Sequence, residues 1–132
     1  MNRTNLTIVA FVSMLSLFSC QESFDKSLQR EAQEFTEKQC PQEVEEGTML
    51  DSLVYSPQSH TLTHYYSVNS ANERVLKDKA PLLHHILVQR TANDIVYKSV
   101  KDKGVTFKYI YYSQSKKTIV YETQVKSHEY KQ

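Results

Sequence analysis

One segment near the start of the chain places apolar residues at the spacing of an amphipathic helix. Within residues 22–39 these positions are Phe24, Leu28, Ala32 and Phe35, with charged side chains around the rest of each turn. Such a stripe predicts a helix that buries one face. Pro41 ends the helix, because the residue before a proline avoids the helical region.

A second helical pattern covers residues 71–93 and contains Pro81. Proline fits the first turn of a helix but interrupts an interior turn. We therefore expect a loose segment to about residue 79 and a firmer helix from Pro81 onward. Helical spacing there predicts a buried stripe of Leu82, Leu83, Ile86, Leu87 and Arg90.

Four segments rich in β-branched and aromatic residues predict strands. They are residues 48–55 and 61–69, joined by a loop, and residues 105–113 and 117–126, joined by a turn. Residues 42–47 predict an acidic linker that ends in the turn residue Gly47. We expect an α+β domain in which two helices pack on one face of a four-stranded, mostly antiparallel sheet, in the order helix–hairpin–helix–hairpin.

The two predicted hairpins resemble each other in sequence. A shift of 57 positions places Gly47 on Gly104 and Tyr55-Ser56 on Tyr112-Ser113 without a gap. A true duplication and a chance agreement between hairpins of similar composition both explain this match, and both predict equivalent faces.

Alternation along each strand assigns the strand residues to two faces of the sheet. The set assigned to the helix-covered core is Leu50, Val54, Leu62, Tyr66, Val68, Phe107, Tyr109, Tyr111, Ile119, Tyr121 and Val125. The opposite set is Met49, Leu53, Tyr55, Tyr65, Ile110 and Tyr112. The second set is too apolar for a fully solvated surface, so it predicts either partial cover by the linkers or the tether, or a partner surface. Tyr65 and Tyr112 are the tyrosines most expected to be exposed, and we predict that they contact a partner.

The first nineteen residues have the pattern of a secretory signal peptide. Arg3 is the only charged residue among them, and residues 6–18 form a mostly apolar run. A membrane-spanning helix needs roughly 20 apolar residues, so this run is too short to be one. A basic start, a short apolar middle and small residues at the end indicate a signal for export.

The segment Leu17-Phe18-Ser19-Cys20 resembles the lipobox of bacterial lipoproteins. The resemblance implies that Cys20 carries diacylglycerol and acyl chains such as palmitate, and that it becomes the first residue after cleavage. Gln21 stands where an aspartate would retain a lipoprotein in the inner membrane, so an outer-membrane anchor is favoured, on the periplasmic or surface side. The alternative is an ordinary cleaved signal with a chance cysteine. The expected organisation is a signal peptide at 1–19, a lipidated cysteine and tether at 20–23, and one domain at 24–132.

The remainder of the chain is similar to small extracytoplasmic bacterial proteins that have no assigned activity. The similarity is carried by Cys40-Pro41, by residues 47–53 and by residues 104–112. Because such proteins have no assigned activity, the resemblance implies no catalytic residues.

Composition excludes several classes of function. The formal net charge is +1, whereas nucleic-acid binders normally have a strong basic excess. Gly47 and Gly104 are the two glycines of the chain. Phosphate-binding loops, dinucleotide fingerprints and nucleophile elbows need several glycines close together, so they are excluded.

The spacing of histidines, carboxylates and cysteines predicts no metal site, no cofactor and no catalytic residues. His60 and His64 are four residues apart, but four extended residues span more than about 12 Å, and His64 shares the parity of the core face. The candidate carboxylates are Asp51, Asp94, Glu122 and Glu129. Their spacing in the chain does not indicate that any two of them form a catalytic pair. Cys40 is a free thiol if Cys20 is acylated, and a buried side chain, a reactive group and an intermolecular bridge all remain open for it.

The sequence therefore favours a lipid-anchored envelope protein that acts as a non-catalytic binding or accessory module for a protein or glycan partner. One alternative is an envelope hydrolase, and a second is an inhibitor or immunity-type lipoprotein. The oligomeric state is left open.

Overall fold

The computed structural model describes residues 23–131, so the predicted signal peptide and the predicted lipid attachment at Cys20 lie outside the described residues. The helices of the described range are α1 (Phe24–Gln39), α2 (Ser70–Asn93), α3 (Lys98–Asp102) and α4 (Ser127–Tyr130). The strands are β1 (Gln42–Glu45), β2 (Thr48–Ser56), β3 (Thr61–Val68), β4 (Thr106–Ser113) and β5 (Ile119–Val125). Between residues 23 and 131, none of the helices combines the length and apolar character needed to cross a bilayer.

The five strands form one mixed sheet in which they lie side by side in chain order. Neighbouring strands are antiparallel except β3 and β4, which are parallel. A parallel pair needs a crossover connection, and α2 and α3 form it. The α+β class agrees with the sequence-based expectation.

The expected number of four strands is wrong, because the segment predicted as an acidic linker forms β1. This strand pairs with Thr48–Leu50 of β2 at the edge of the sheet, and all four of its residues are exposed. Glutamates are depleted from strands, and an edge strand without a buried side chain has no apolar alternation to reveal it. The expected number of two helices is also too low, since α3 and α4 are present.

Helix α1 begins at a side-chain cap and packs against the sheet. The Ser23 side chain accepts a hydrogen bond from the backbone N–H of Lys26 at 3.3 Å, which satisfies one of the unpaired donors of the first turn. Leu28 and Ala32 are buried on the side that faces the sheet. Thr36 accepts a hydrogen bond at 2.9 Å from the backbone N–H of Leu53, so the helix also covers part of the edge of β2.

Helix α2 runs through Pro81 without a break, in contrast to the expected loose first segment. Its buried apolar residues are Leu83, Leu87 and Val88, whereas Leu82 and Ile86 are 63 % and 39 % exposed. The helix therefore packs on the sheet through a face that includes Leu83 and Leu87 of the predicted stripe but not Leu82 and Ile86.

The bulge in β2 overturns part of the predicted assignment of faces. The pairing register with β3 shifts between Leu50 and Ser52, so that Asp51 is an extra residue. An extra residue reverses the alternation after it. Leu53 and Tyr55 are consequently buried in the core, and Val54 points away from it and is 49 % exposed.

A second register shift lies between β4 and β5. Ile119 pairs with Tyr112 after this shift and is 51 % exposed, so its predicted core position is wrong. Leu62, Val68, Phe107 and Val125 are buried as the alternation predicts.

Candidate binding surface

The predicted contact residues, Tyr65 of β3 and Tyr112 of β4, lie together on the face of the sheet opposite the helices. Their rings are stacked at 6.4 Å between centroids with an interplanar angle of 20°, and both are partly exposed. The helices pack on the other face, where the Thr91 hydroxyl of α2 is hydrogen-bonded to the Tyr109 hydroxyl. We call the uncovered face the open face.

The tyrosine pair of the open face surrounds an apolar centre. Ile110 pairs with Tyr65 in the register of the sheet and is 6 % exposed, and Tyr112 lies two residues along β4 on the same face. The flanking rings therefore shield it from water. Ile119 lies beside Tyr112 and extends the apolar area.

An ion pair borders this apolar area. The ammonium of Lys108 lies 2.9 Å from a carboxylate oxygen of Glu122 on the neighbouring strand. The hydrogen bond to Glu122 raises the pKa of Lys108. Stacked aromatic rings with a charged border form a surface on which a protein side chain or the apolar face of a sugar can pack.

A cluster that the sequence did not reveal joins α1 to the loop after β2. The Tyr55 hydroxyl donates to Asp25 at 2.6 Å and lies 2.8 Å from Nδ1 of His60, whose Nε2 lies 2.9 Å from the Lys103 carbonyl oxygen. Burial and the bond to Asp25 raise the pKa of Tyr55, so its hydroxyl keeps its proton. These contacts tie the start of α1 to the loop after β2 and to Lys103 in the turn before β4.

A second cluster joins a hydroxyl, an imidazole and a carboxylate in sequence. Nδ1 of His84 lies 2.7 Å from the Thr123 hydroxyl, and Nε2 lies 2.7 Å from Glu129. Burial tends to raise the pKa of Glu129, but hydrogen bonds from the Lys126 backbone N–H and from His84 lower it overall. The cluster links α2, β5 and α4, and it has the hydrogen-bonding order of a nucleophile, a base and an orienting acid.

His64 is a buried histidine, as its parity predicts. Its ring lies 5.0 Å from that of Tyr109 and 5.7 Å from that of Tyr97. Burial lowers the pKa of His64 to about 4, so the ring is neutral at neutral pH. Its Nδ1 has no hydrogen-bond partner among the described residues.

Cys40 is a free, half-buried thiol that packs against the core. Burial and the neighbouring charge of Asp51 raise its pKa, which keeps the thiol protonated and weakly nucleophilic. Within residues 23–131, no three histidine, cysteine, aspartate or glutamate side chains are close enough to hold a metal ion.

Within residues 23–131, the following three grooves lie away from the tyrosine pair. A groove of about 340 Å³ separates α1 from β2 near Thr36 and Tyr55. A second, of about 260 Å³, lies between β1 and α2 and reaches Tyr111. A third, of about 230 Å³, lies between α1 and the segment around Tyr97.

The fold is similar to those of two solved structures. A candidate secreted protein from Pseudomonas aeruginosa superposes with a TM-score of 0.65 and 12% identity, over 83% of this chain and 99% of that one. A pilotin from the type 2 secretion system of Vibrio vulnificus superposes with a TM-score of 0.57 and 10% identity, over 80% of this chain and 89% of that one. At these identities the likeness shows the fold alone.

The sequence itself matches one domain family. No curated protein matches the chain. The family model covers residues 23–121, which span the structure from the start of α1 into β5. The chain therefore belongs to the family described as Domain of unknown function (DUF8479).

Proposed function

We propose that this protein is a lipid-anchored accessory protein of the bacterial envelope that binds a protein or glycan partner through the open face. Two features of the sequence support the location: the export signal at 1–19 and the lipobox-like segment that ends at Cys20. The fold shared with a secretion-system pilotin and with a candidate secreted protein is consistent with an accessory role outside the cytoplasm.

The observation that carries the proposal is the stacked pair of Tyr65 and Tyr112 on the open face. Partly exposed tyrosines supply a large apolar area at low entropic cost and keep a hydroxyl for hydrogen bonding. Such rings are enriched at protein interfaces. Ile110 and Ile119 extend the apolar area beside them.

The lipid anchor is tested by Cys20→Ala. We expect the variant to leave the membrane fraction and to lose metabolic labelling by fatty acids, because the thiol is the proposed attachment point. A variant that fractionates and labels like the wild type would show that the anchor proposal is wrong.

The partner surface is tested by capture from detergent-solubilised envelope, with Tyr65→Ala/Tyr112→Ala as the variant. We expect the variant to fold and to capture at least about tenfold less of the partner that the wild type enriches, because removal of hot-spot aromatic residues costs more than about 2 kcal/mol. Leu82→Ala/Ile86→Ala removes exposed apolar area from α2 and should capture normally. Equal capture by all three proteins would contradict the proposal.

A hydrolase is the second candidate, and the cluster of Thr123, His84 and Glu129 favours it. In this function the Thr123 hydroxyl would add to an ester or amide carbonyl while His84 accepts its proton and Glu129 orients the ring. The bond to the leaving group would then break as His84 gives the proton to it, and water would hydrolyse the acyl group from Thr123. None of the three grooves is lined by these residues. Labelling with a fluorophosphonate that is lost in Thr123→Val would support hydrolysis, whereas no labelling of the wild type would contradict it.

A further inference from the structure

We propose that the end of the domain at which α1 begins binds the anionic phospholipid headgroups of the membrane that holds the protein. This inference rests on the proposed lipid attachment at Cys20. The membrane-facing end is defined as the start of α1 (residues 23–26), the loop 57–60, α3 with the turn at 103–105, and α4 with the flanking residues 126 and 131.

Direct contacts join these segments into one surface. The Lys103 ammonium lies 5.8 Å from the centre of the Phe24 ring, and the Lys103 carbonyl contacts His60. The backbone N–H of Thr106 donates to the carbonyl of His60 at 3.0 Å. Helix α4 adjoins the same turn, because Tyr130 donates to the carbonyl of Val105 at 2.7 Å.

The charge of this end is unbalanced toward lysine. Of its three carboxylates, Asp102 forms an ion pair with Lys98 at 2.9 Å, which leaves Asp25 and Glu129. Four exposed lysines remain around them, and they are Lys26, Lys103, Lys126 and Lys131.

The other end of the sheet has a different charge pattern. Exposed glutamates are concentrated in β1 and in the turn that follows, at Glu43, Glu45 and Glu46. The turn between β4 and β5 adds Lys116 and Lys117. Both signs are therefore interspersed there, which gives an anionic surface no consistent attraction.

The position of Cys20 in the chain would hold the membrane-facing end next to the bilayer. Cys20 and Ser23 are three positions apart in the chain, and a chain spans at most about 3.6 Å per position, so the proposed lipid attachment point lies within about 11 Å of the start of α1. This distance is close to the Debye length of about 8–10 Å at physiological salt. Headgroups of anionic phospholipids are therefore within electrostatic reach of Lys26 and Lys103.

The test uses the acylated mature protein, which begins at Cys20, in vesicles of phosphatidylcholine alone or with phosphatidylglycerol. Flotation with the neutral vesicles reports the acyl anchor separately. Amide hydrogen exchange then reports the contact, and we expect exchange in the loop 57–60 and the turn 103–105 to slow by about tenfold or more in the anionic vesicles. Added salt should remove the effect, since the attraction is screened.

The test variant is Lys26→Gln/Lys103→Gln/Lys131→Gln, and it should lose the extra protection while it still floats with both vesicles. The control Lys38→Gln/Arg74→Gln/Lys79→Gln removes as much positive charge elsewhere and should keep it. Equal exchange of the wild type in neutral and anionic vesicles would overturn the proposal and leave the anchor intact. Failure to float with neutral vesicles would instead contradict the lipid anchor.

Discussion

The two faces of the sheet are both rich in aromatic residues, yet they differ in what covers them. On the covered face, Phe107 and Tyr109 lie beneath helices and connecting segments. On the open face, Tyr65 and Tyr112 stack on each other beside an ion pair. Aromatic residues therefore identify the strands of this protein, but they do not distinguish the core from the exposed surface.

The two faces differ in the hydrogen-bond partners that they offer to tyrosine hydroxyls. On the covered side, the hydroxyls of Tyr109 and Tyr130 lie 2.6 Å from Thr91 Oγ1 and 2.7 Å from the Val105 carbonyl oxygen. Burial raises the pKa of Tyr97 and Tyr111 to about 12. A buried hydroxyl needs a protein partner, whereas a hydroxyl on the open face can be satisfied by water and remains available to a ligand.

The largest effect should come from Phe107→Ala on the covered face. Phe107 is 0 % exposed and packs edge-on against Tyr97 and Tyr130. Its truncation leaves a cavity and should lower the free energy of unfolding by about 3–5 kcal/mol. Chemical denaturation measures this loss, and a loss below about 1 kcal/mol would contradict the assignment of this face as the core.

Two single variants at adjacent positions of β2 test whether the bulge at Asp51 reverses which side chains point into the core. Leu53→Ala should lower the free energy of unfolding by about 2–4 kcal/mol, since Leu53 is buried after the bulge. Val54→Ala should cost less than about 1 kcal/mol, because Val54 is half exposed. The reverse order in denaturant titrations would restore the simple alternation predicted from the sequence.

Helices α1 and α2, the two hairpins and the α+β class could be predicted from the sequence, because apolar residues recur along these segments. The short helices α3 and α4 were not predicted. The bulge at Asp51 could not be predicted, since an extra residue in a strand has no compositional mark and appears only in the pairing with β3. The same holds for β1, whose exposed charged residues resemble a linker.

The candidate site was predictable in part. Simple alternation places Tyr65 and Tyr112 on one face because no bulge lies between Tyr65 and the core residues of β3 or between Phe107 and Tyr111. The clusters around His60 and His84 were missed, because their members are far apart in the chain and meet only through the packing of α1 and α4. Local spacing has no signal for such contacts.

Acidification should destabilise the covered face through His64. Its pKa in the folded protein is about 4, against an ordinary value of 6.5, so the unfolded chain binds the proton more tightly. The contribution of His64 to the free energy of unfolding does not change above about pH 7. It falls by up to about 3 kcal/mol as the pH drops from about 6.5 to 4.

The variant His64→Phe isolates this contribution, because it keeps an aromatic ring and removes the titration. The difference in unfolding free energy between the wild type and the variant should change with pH over this window and stay constant above pH 7. A difference that is independent of pH would show that His64 does not titrate in this way.

The smallest effect should come from the open face, where a double-mutant cycle on Tyr65 and Tyr112 measures their mutual stabilisation. Stacked aromatic pairs contribute about 0.5–1.5 kcal/mol beyond the burial of area, and partial exposure places this pair toward the lower end. Each alanine variant should therefore unfold with a small loss, and the coupling energy should be about 0.5 kcal/mol. A coupling as large as the loss in Phe107→Ala would mean that the rings hold the fold together, and the distinction between a core face and a binding face would then fail.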